Sequence, residues 1–436
     1  MSLITQTTEP KAILNSSNHR ELTYQQTILC SAVIGIAGGL VATAYYYLLE
    51  ACLHLVWHTL PDFITPKFPT GFSDQNYVWI VTTIGGLLVG LTLHFMGLPG
   101  EVSMVVDKVH DPGCIEIRQT PAMIVASLFS ITAGGSAGPE APLVQIIGSF
   151  GGWLGQKLGL TLSSIRVLTF CGMSSALGAF FGAPIGGALF ALEIPHRRGL
   201  EYYEALTPAV LSAILSFFVF KLNTGLTIGG IYHFAVIPPL ELMHLGLGVI
   251  LGAIGALVAA IFIVLFRSIG HLSEYIRHRV ILLATLGGLS IGLIALVFPQ
   301  TLFFGEKEIE TIVDTGSKFG VTMLLMIALA KMLAICCTLH SGFRGGFIFP
   351  LFYVGAAVGL AIALAFPQIH PTIGMVCMMA AVNVAITKTP ISTTVILSVL
   401  SGTAMIPVIA IASFVSFLLT TQVSLIKTQR SRSFLQ

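Results

Sequence analysis

The stretch 134-GGSAGPEAPLVQ-145 sets one carboxylate between two prolines inside an apolar segment. Between Arg118 and Lys157 no charged side chain other than Glu140 occurs. Glycine followed by proline opens a helix, because proline fits the first helical turn. The first N–H groups of that helix have no partner and carry the positive end of its dipole. Such an end attracts an anion without a basic side chain. Glu140 therefore has two readings. It is a capping carboxylate at a helix start, or it occupies an anion site itself and leaves when protonated. Ionisable groups inside a membrane are functional by default, so this run matters most if the surroundings are lipid.

Composition shows that they are. The 436 residues are 55% hydrophobic and 9% charged, with a mean hydropathy of +0.91, whereas soluble domains carry about 25% charge. Runs such as 28–49, 80–98, 247–265 and 408–419 with its flanks approach the roughly 20 apolar residues that cross a bilayer. The expected class is an all-α polytopic membrane protein. A β-barrel is excluded, because its strands alternate and these runs are continuously apolar. A net charge of +2 gives no support to a nucleic-acid partner. Seven cysteines without a CxxC pair predict neither a disulfide framework nor a zinc site. His110, His196 and His340 lack a clustered spacing, so no metal and no cofactor are expected. Lys427, Arg430 and Arg432 follow the last apolar run, and Lys11 and Arg20 precede the first. The positive-inside rule places both termini in the cytoplasm of a multi-pass cell-membrane protein. The expected organisation is a tail over 1–24, a transmembrane domain over 25–425 and a basic tail over 426–436.

The apolar segments are interrupted at 97-GLPGE-101, 134-GGSAGPEAP-142, 182-GAP-184, 342-GFRGGFIFP-350 and 387-TKTP-390. Lipid cannot satisfy the backbone groups freed by a break, so such breaks survive only inside protein or around a polar cavity. Two of them recur. Gly138-Pro-Glu-Ala-Pro142 is similar to Gly346-Phe-Ile-Phe-Pro350, and 173-MSSALGAFFGAPI-185 to 379-MAAVNVAITKTPI-391. Pro142 and Pro184 are 42 residues apart, Pro350 and Pro390 40. Two half-repeats, about 25–222 and 240–425, follow. Matching breaks in two halves point to a transporter's binding site. The segment 268-SIGHLSEYIRHR-279 is expected to end a long helix at an aqueous face.

The order Gly-x-Glu-x-Pro, then APIGGALFALE, then GGFIFP resembles the CLC family of chloride channels and chloride/proton antiporters over about 25–425. The resemblance implies an inverted repeat with broken helices and a homodimer with one pore per subunit. It implies passage of a small inorganic anion, chloride first, with or without protons. It makes Glu140 the gating glutamate and puts the backbone of Gly138, Ala141, Phe347 and Ile348, with Pro99 and Gly100, around the anion. Three positions depart from the family. Leu98-Pro99-Gly100-Glu101-Val102 stands where the family has a serine that lines the anion site. No tyrosine follows Tyr353, although a C-terminal tyrosine lines that site in the family. Ile194 stands where family antiporters have an inner proton-transfer glutamate, with Glu193 beside it.

Glu193 thus reads either as a helix end or as an inner proton acceptor. Lys388 either faces a vestibule or reaches to the interface. Two other function classes are weighed. An intramembrane serine protease is disfavoured, because His340-Ser341 gives no nucleophile–base geometry; no enzyme is expected. A cation-coupled solute carrier of another inverted-repeat fold is separated by sodium-dependent uptake.

Overall fold

The computed structural model describes residues 20–64, 74–98, 102–225, 232–237 and 239–430. The first half holds α1 (Tyr24–His54), the short α2 (Leu60–Ile64) joined to it by a π-turn, α3 (Asp74–Met96), α4 (Val102–His110), α5 (Thr120–Thr132), α6 (Glu140–Lys157), α7 (Leu162–Phe180), α8 (Pro184–Glu193) and α9 (Leu206–Thr224). The second half holds α10 (Leu242–Glu274), α11 (Val280–Val297), α12 (Glu306–Thr315), α13 (Gly320–His340), α14 (Ile348–Ala365), α15 (Pro371–Thr387), α16 (Pro390–Ser401) and α17 (Ile406–Thr420). α10 repeats α1, and α11 to α17 repeat α3 to α9 in order. The fold is all-α, and among the described residues nine helical stretches are long and apolar enough to cross a membrane. α10 ends within the polar segment 268–279. The outer helices expose Leu29, Leu40, Leu257, Val264 and Leu418, which only lipid can cover without penalty. α14 and α15 are buried along nearly their whole length.

The two halves meet through matching residues. Gly138 and Gly346 exchange both backbone hydrogen bonds, at 2.8 and 2.7 Å, as a local twofold axis between equivalent residues requires. The axis recurs where α3 crosses α11. There 83-TIGGLLVGL-91 matches 285-TLGGLSIGL-293, a repeat missed in the reading of the sequence above. A Cβ on Gly86 would lie 2.3 Å from the Ala284 carbonyl oxygen, and one on Gly288 2.1 Å from that of Thr82. Small residues let membrane helices approach this closely.

The breaks also pair. Gly134 and Gly342 carry φ of 92° and 91°, and Gly182 and Lys388 both 62°. Glycine adopts this region freely, whereas lysine does so at a cost of about 1–2 kcal/mol. Proline opens α8 and α16 at the first position but stands third in α6 and α14. The helix thus starts at Glu140, ahead of the proline. This is tolerated because first-turn N–H groups lack intrahelical partners.

Both ends of the described chain reach one face. Arg20 pairs with the backbone of Gly159 and Thr161, just before α7. Arg166, in the first turns of α7, donates to the carbonyls of Val109 and His110 on α4. Arg430 meets Asp107 of the same α4.

Candidate functional site

Glu140 is the first residue of α6 and is 1% exposed. Its carboxylate reaches beyond its own helix start to that of the other half. Oε1 accepts the N–H of Ile348, the first residue of α14, at 3.0 Å. Oε2 is buried without a protein partner. A carboxylate of the first half thus sits on the helix start of the second, where the dipole favours negative charge. Two glycines make room for it. A Cβ on Gly138 would lie 2.0 Å from Oε2, and one on Gly346 2.3–2.5 Å from Cδ, Cγ and Oε1.

Beside the carboxylate lies a cavity of about 50 Å³, against the roughly 10–15 Å³ that one water needs. Val105 and Val106 of α4, Ala141 and Val144 of α6, and Phe190 and Ile194 of α8 help to line it, with Gly346, Phe347 and Ile348. Among the described residues Glu140 is its one charged lining residue, and no hydroxyl side chain of theirs faces it. From these residues an anion held here would take its hydrogen bonds from backbone N–H groups or water. A smaller cavity of about 30 Å³ touches the same turn through Pro139 and Leu143, and is lined also by Tyr45, Tyr46, Glu50 and Glu306. Glu140 therefore stands at a turn that borders two cavities.

Ala141, Phe347 and Ile348 come together at the cavity. Gly138 needs a correction. Its N–H is committed to the Gly346 carbonyl, so it cannot serve an anion; its contribution is space for Glu140. Pro99, Gly100 and Glu101 lie outside the described residues. The ring of Phe349 turns away from the cavity. It packs edge-on against Phe180, with ring centroids 5.3 Å apart.

Glu193 ends α8, 1% exposed. Oε1 accepts the N–H of Ile391 at 3.1 Å, and Oε2 accepts the N–H and hydroxyl of Ser392 at 2.8 and 2.6 Å. It satisfies the orphan donors at the start of α16, across the twofold from its own half. Ile194, not Glu193, lines the cavity. Lys388 neither faces a vestibule nor reaches the interface. Its ammonium is buried and donates to Ala385 O, Thr420 O and Thr420 Oγ1 at 2.6, 2.6 and 2.9 Å. These charge-assisted bonds to helix-end carbonyls offset its left-handed backbone.

Two features escaped the sequence reading. Lys331 of α13 is fully buried and donates to the carbonyls of Thr301, Leu302 and Phe303 at 3.1, 3.1 and 2.8 Å. A basic residue amid 326-MIALAKMLAI-335 is the signal that could have revealed it. The C-terminal residues 421–430 form a strap across the end of α8, for which composition offers no sign beyond basic charge.

Residues 85–421 match the family described as "Voltage gated chloride channel". A chloride/fluoride channel protein of Pseudomonas syringae pv. tomato is 28% identical over 371 residues, 82% of this chain and 79% of that protein. The fold is similar to that of a CLC-type fluoride/proton antiporter, with a TM-score of 0.79 at 21% identity over 94% of this chain and 100% of the other. It is also similar to a slow cyanobacterial Cl⁻/H⁺ antiporter, with a TM-score of 0.78 at 18% identity over 90% and 94% of the two chains.

Proposed function

This chain belongs to the voltage-gated chloride channel family of membrane anion transporters, and from that premise we propose that Glu140 is the gate of its anion pathway. The observation that carries the reading is the Glu140 carboxylate seated on the Ile348 N–H at the start of α14. A carboxylate there holds the place of the anion. Protonation weakens its hydrogen bond and its attraction to the helix dipole, and a free anion then takes the vacated donors. The two cavities flanking the turn are what a gate between two vestibules needs. Among the described residues no full positive charge lines the cavity, which suits passage, because an ion must be able to leave. Among the described residues, Ala141, Phe347 and Ile348 are the backbone neighbours of the ion.

The cargo we assign is a small halide, chloride first. Fluoride belongs in the same panel, because the Pseudomonas relative's name joins the two. For protons, position 194 offers no acceptor, and Glu193 is engaged by three donors at α16. We therefore assign weak or absent proton coupling. The contrary observation is the unpartnered Oε2 of Glu140, which is free to take a proton; an antiporter with a water path is the second reading. The working unit implied by the resemblance is a homodimer in the cell membrane, with both termini cytoplasmic.

The test is anion efflux from proteoliposomes. Glu140→Gln keeps the shape and removes the charge, so flux becomes faster and much less dependent on pH. An unchanged rate and an unchanged pH profile would reduce Glu140 to a structural cap.

A further inference from the structure

The strap 421–430 is bound through Thr428, Gln429 and Arg430 to α4, to the turn that follows α8 and to the end of α15. Gln429, 3% exposed, donates Nε2 to Ile194 O at 2.9 Å and to Thr387 O at 2.7 Å. These are carbonyls at the ends of α8 and α15. Thr428 Oγ1 donates to Ser103 O at 2.6 Å. Arg430 N donates to Pro195 O at 3.2 Å, and Arg197 N to Arg430 O at 3.0 Å. Ser103 and Asp107 bracket the cavity residues Val105 and Val106 on α4, and Ile194 lines the cavity from α8. The strap thus ties one wall to the other.

Two histidines lie under the knot. His110, at the end of α4, has Nε2 2.8 Å from Pro195 O, the same carbonyl that Arg430 N uses. A carbonyl only accepts, so Nε2 carries the proton, and Nδ1 accepts from the Tyr202 hydroxyl at 3.1 Å. The His196 ring stands edge-on at 5.2 Å, its Nδ1 3.0 Å from Leu192 O.

We propose that this strap is the inner gate of the pathway, and that His110 and His196 are the proton sensor that releases it. A second proton on His110 falls on Nδ1, against the hydroxyl hydrogen of Tyr202. The new charge faces Arg166, whose guanidinium stacks on Tyr202 at 4.9 Å, and faces Arg430 and His196. Of the carboxylates in reach, Asp107 is engaged by Arg430 at 2.9 Å and Glu116 by Lys108 at 3.1 Å, while Glu201, 3.4 Å from His196, favours the charged rings but is outweighed by burial. Burial is the largest cause holding both imidazoles below the ordinary histidine range. The closed strap therefore prefers neutral rings, while the released form titrates near the usual value of about 6.5. Closure is intact above about pH 6.5 and weakens below it, by up to about tenfold per pH unit for each histidine until the closed-form value is reached.

The idea builds on the pathway past Glu140, but its first test does not depend on that reading. Hydrogen exchange on the purified full-length protein compares peptides covering 421–430 with a peptide of α14 at pH 7.5 and 5.5, corrected for intrinsic rates. The expected result is at least a tenfold loss of protection in the strap at pH 5.5, with α14 unchanged. In the His110→Asn/His196→Gln double variant the strap stays protected at both pH values. Equal protection of the wild-type strap at both pH values overturns the sensor, as does an acid loss that persists in the double variant. The second arm measures halide efflux. In the Glu140→Gln background, where the gating carboxylate no longer titrates, Gln429→Ala frees the strap and raises flux at pH 7.5 to that background's level at pH 5.5. A strap that exchanges freely in the double variant while flux stays at the Glu140→Gln level overturns the gate.

Discussion

Gly346→Ala moves the gate without touching its charge. The new Cβ would lie 2.3–2.5 Å from three atoms of the Glu140 side chain, well inside van der Waals contact. Gly346 does not have a positive φ, and its pairing with Gly138 uses only backbone atoms. Alanine is therefore compatible with the main chain, and the flexible carboxylate must yield. Leaving costs it the 3.0 Å bond to Ile348. A hydrogen bond to a charged group contributes about 1.5–3 kcal/mol, and the helix N-terminus adds about 0.3–1 kcal/mol. The shift of about 2–4 kcal/mol toward the open gate corresponds to roughly thirty-fold to several-hundred-fold. In wild type, flux rises as pH falls, because protonation releases the carboxylate. In Gly346→Ala it is higher at neutral pH and rises much less steeply below. The assay is halide efflux from proteoliposomes with an ion-selective electrode, between pH 7.5 and 4.5. A correctly folded variant that keeps the wild-type pH profile would refute the reasoning, because it would mean that Glu140 at the start of α14 does not control passage.

Other expectations concern selectivity, coupling and stability. With backbone N–H groups and no hydroxyl among the described residues of the cavity lining, chloride, bromide and nitrate pass within about one order of magnitude, or roughly 1.4 kcal/mol in barrier; a strong preference for one, or a fluoride flux that dwarfs the rest, contradicts this. Glu193→Gln removes the charge that holds the start of α16 and lowers stability by about 1–3 kcal/mol at unchanged chloride flux. If it instead abolishes uphill proton movement driven by a chloride gradient, Glu193 is the inner acceptor. Lys331→Met leaves three buried carbonyls without their donor and costs about 1–3 kcal/mol, read as a lower Tm in detergent; an unchanged Tm removes the capping role.

Glu140 was legible in the sequence because a lone carboxylate between Gly138 and Pro142 contrasts with everything near it. Its partner was less so. That the carboxylate reaches Ile348 across the axis depends on how two segments 208 residues apart meet. The commitment of the Gly138 N–H depends on the same meeting. Glu193 shows the same limit: FALE ends a helix by composition, but only packing brings Ile391 and Ser392 to it. Lys388 was misjudged because a lysine is expected to seek water, whereas here the ends of α15 and α17 supply three oxygens inside the protein. The α3 and α11 glycines were readable as a repeat and were passed over, because they interrupt no helix.

The pairing of Gly138 with Gly346 also bears on vectoriality. Under the twofold, the counterpart of Glu140 is Ile348, the residue that donates to it. The scaffold offers two like helix starts, one from each half and with opposed approach, yet only one carries a carboxylate. The polypeptide frame is close to indifferent between the two sides of the membrane. The difference between them is written in single side chains at matched positions, so the sidedness of transport can change by point substitution while the architecture stays as it is.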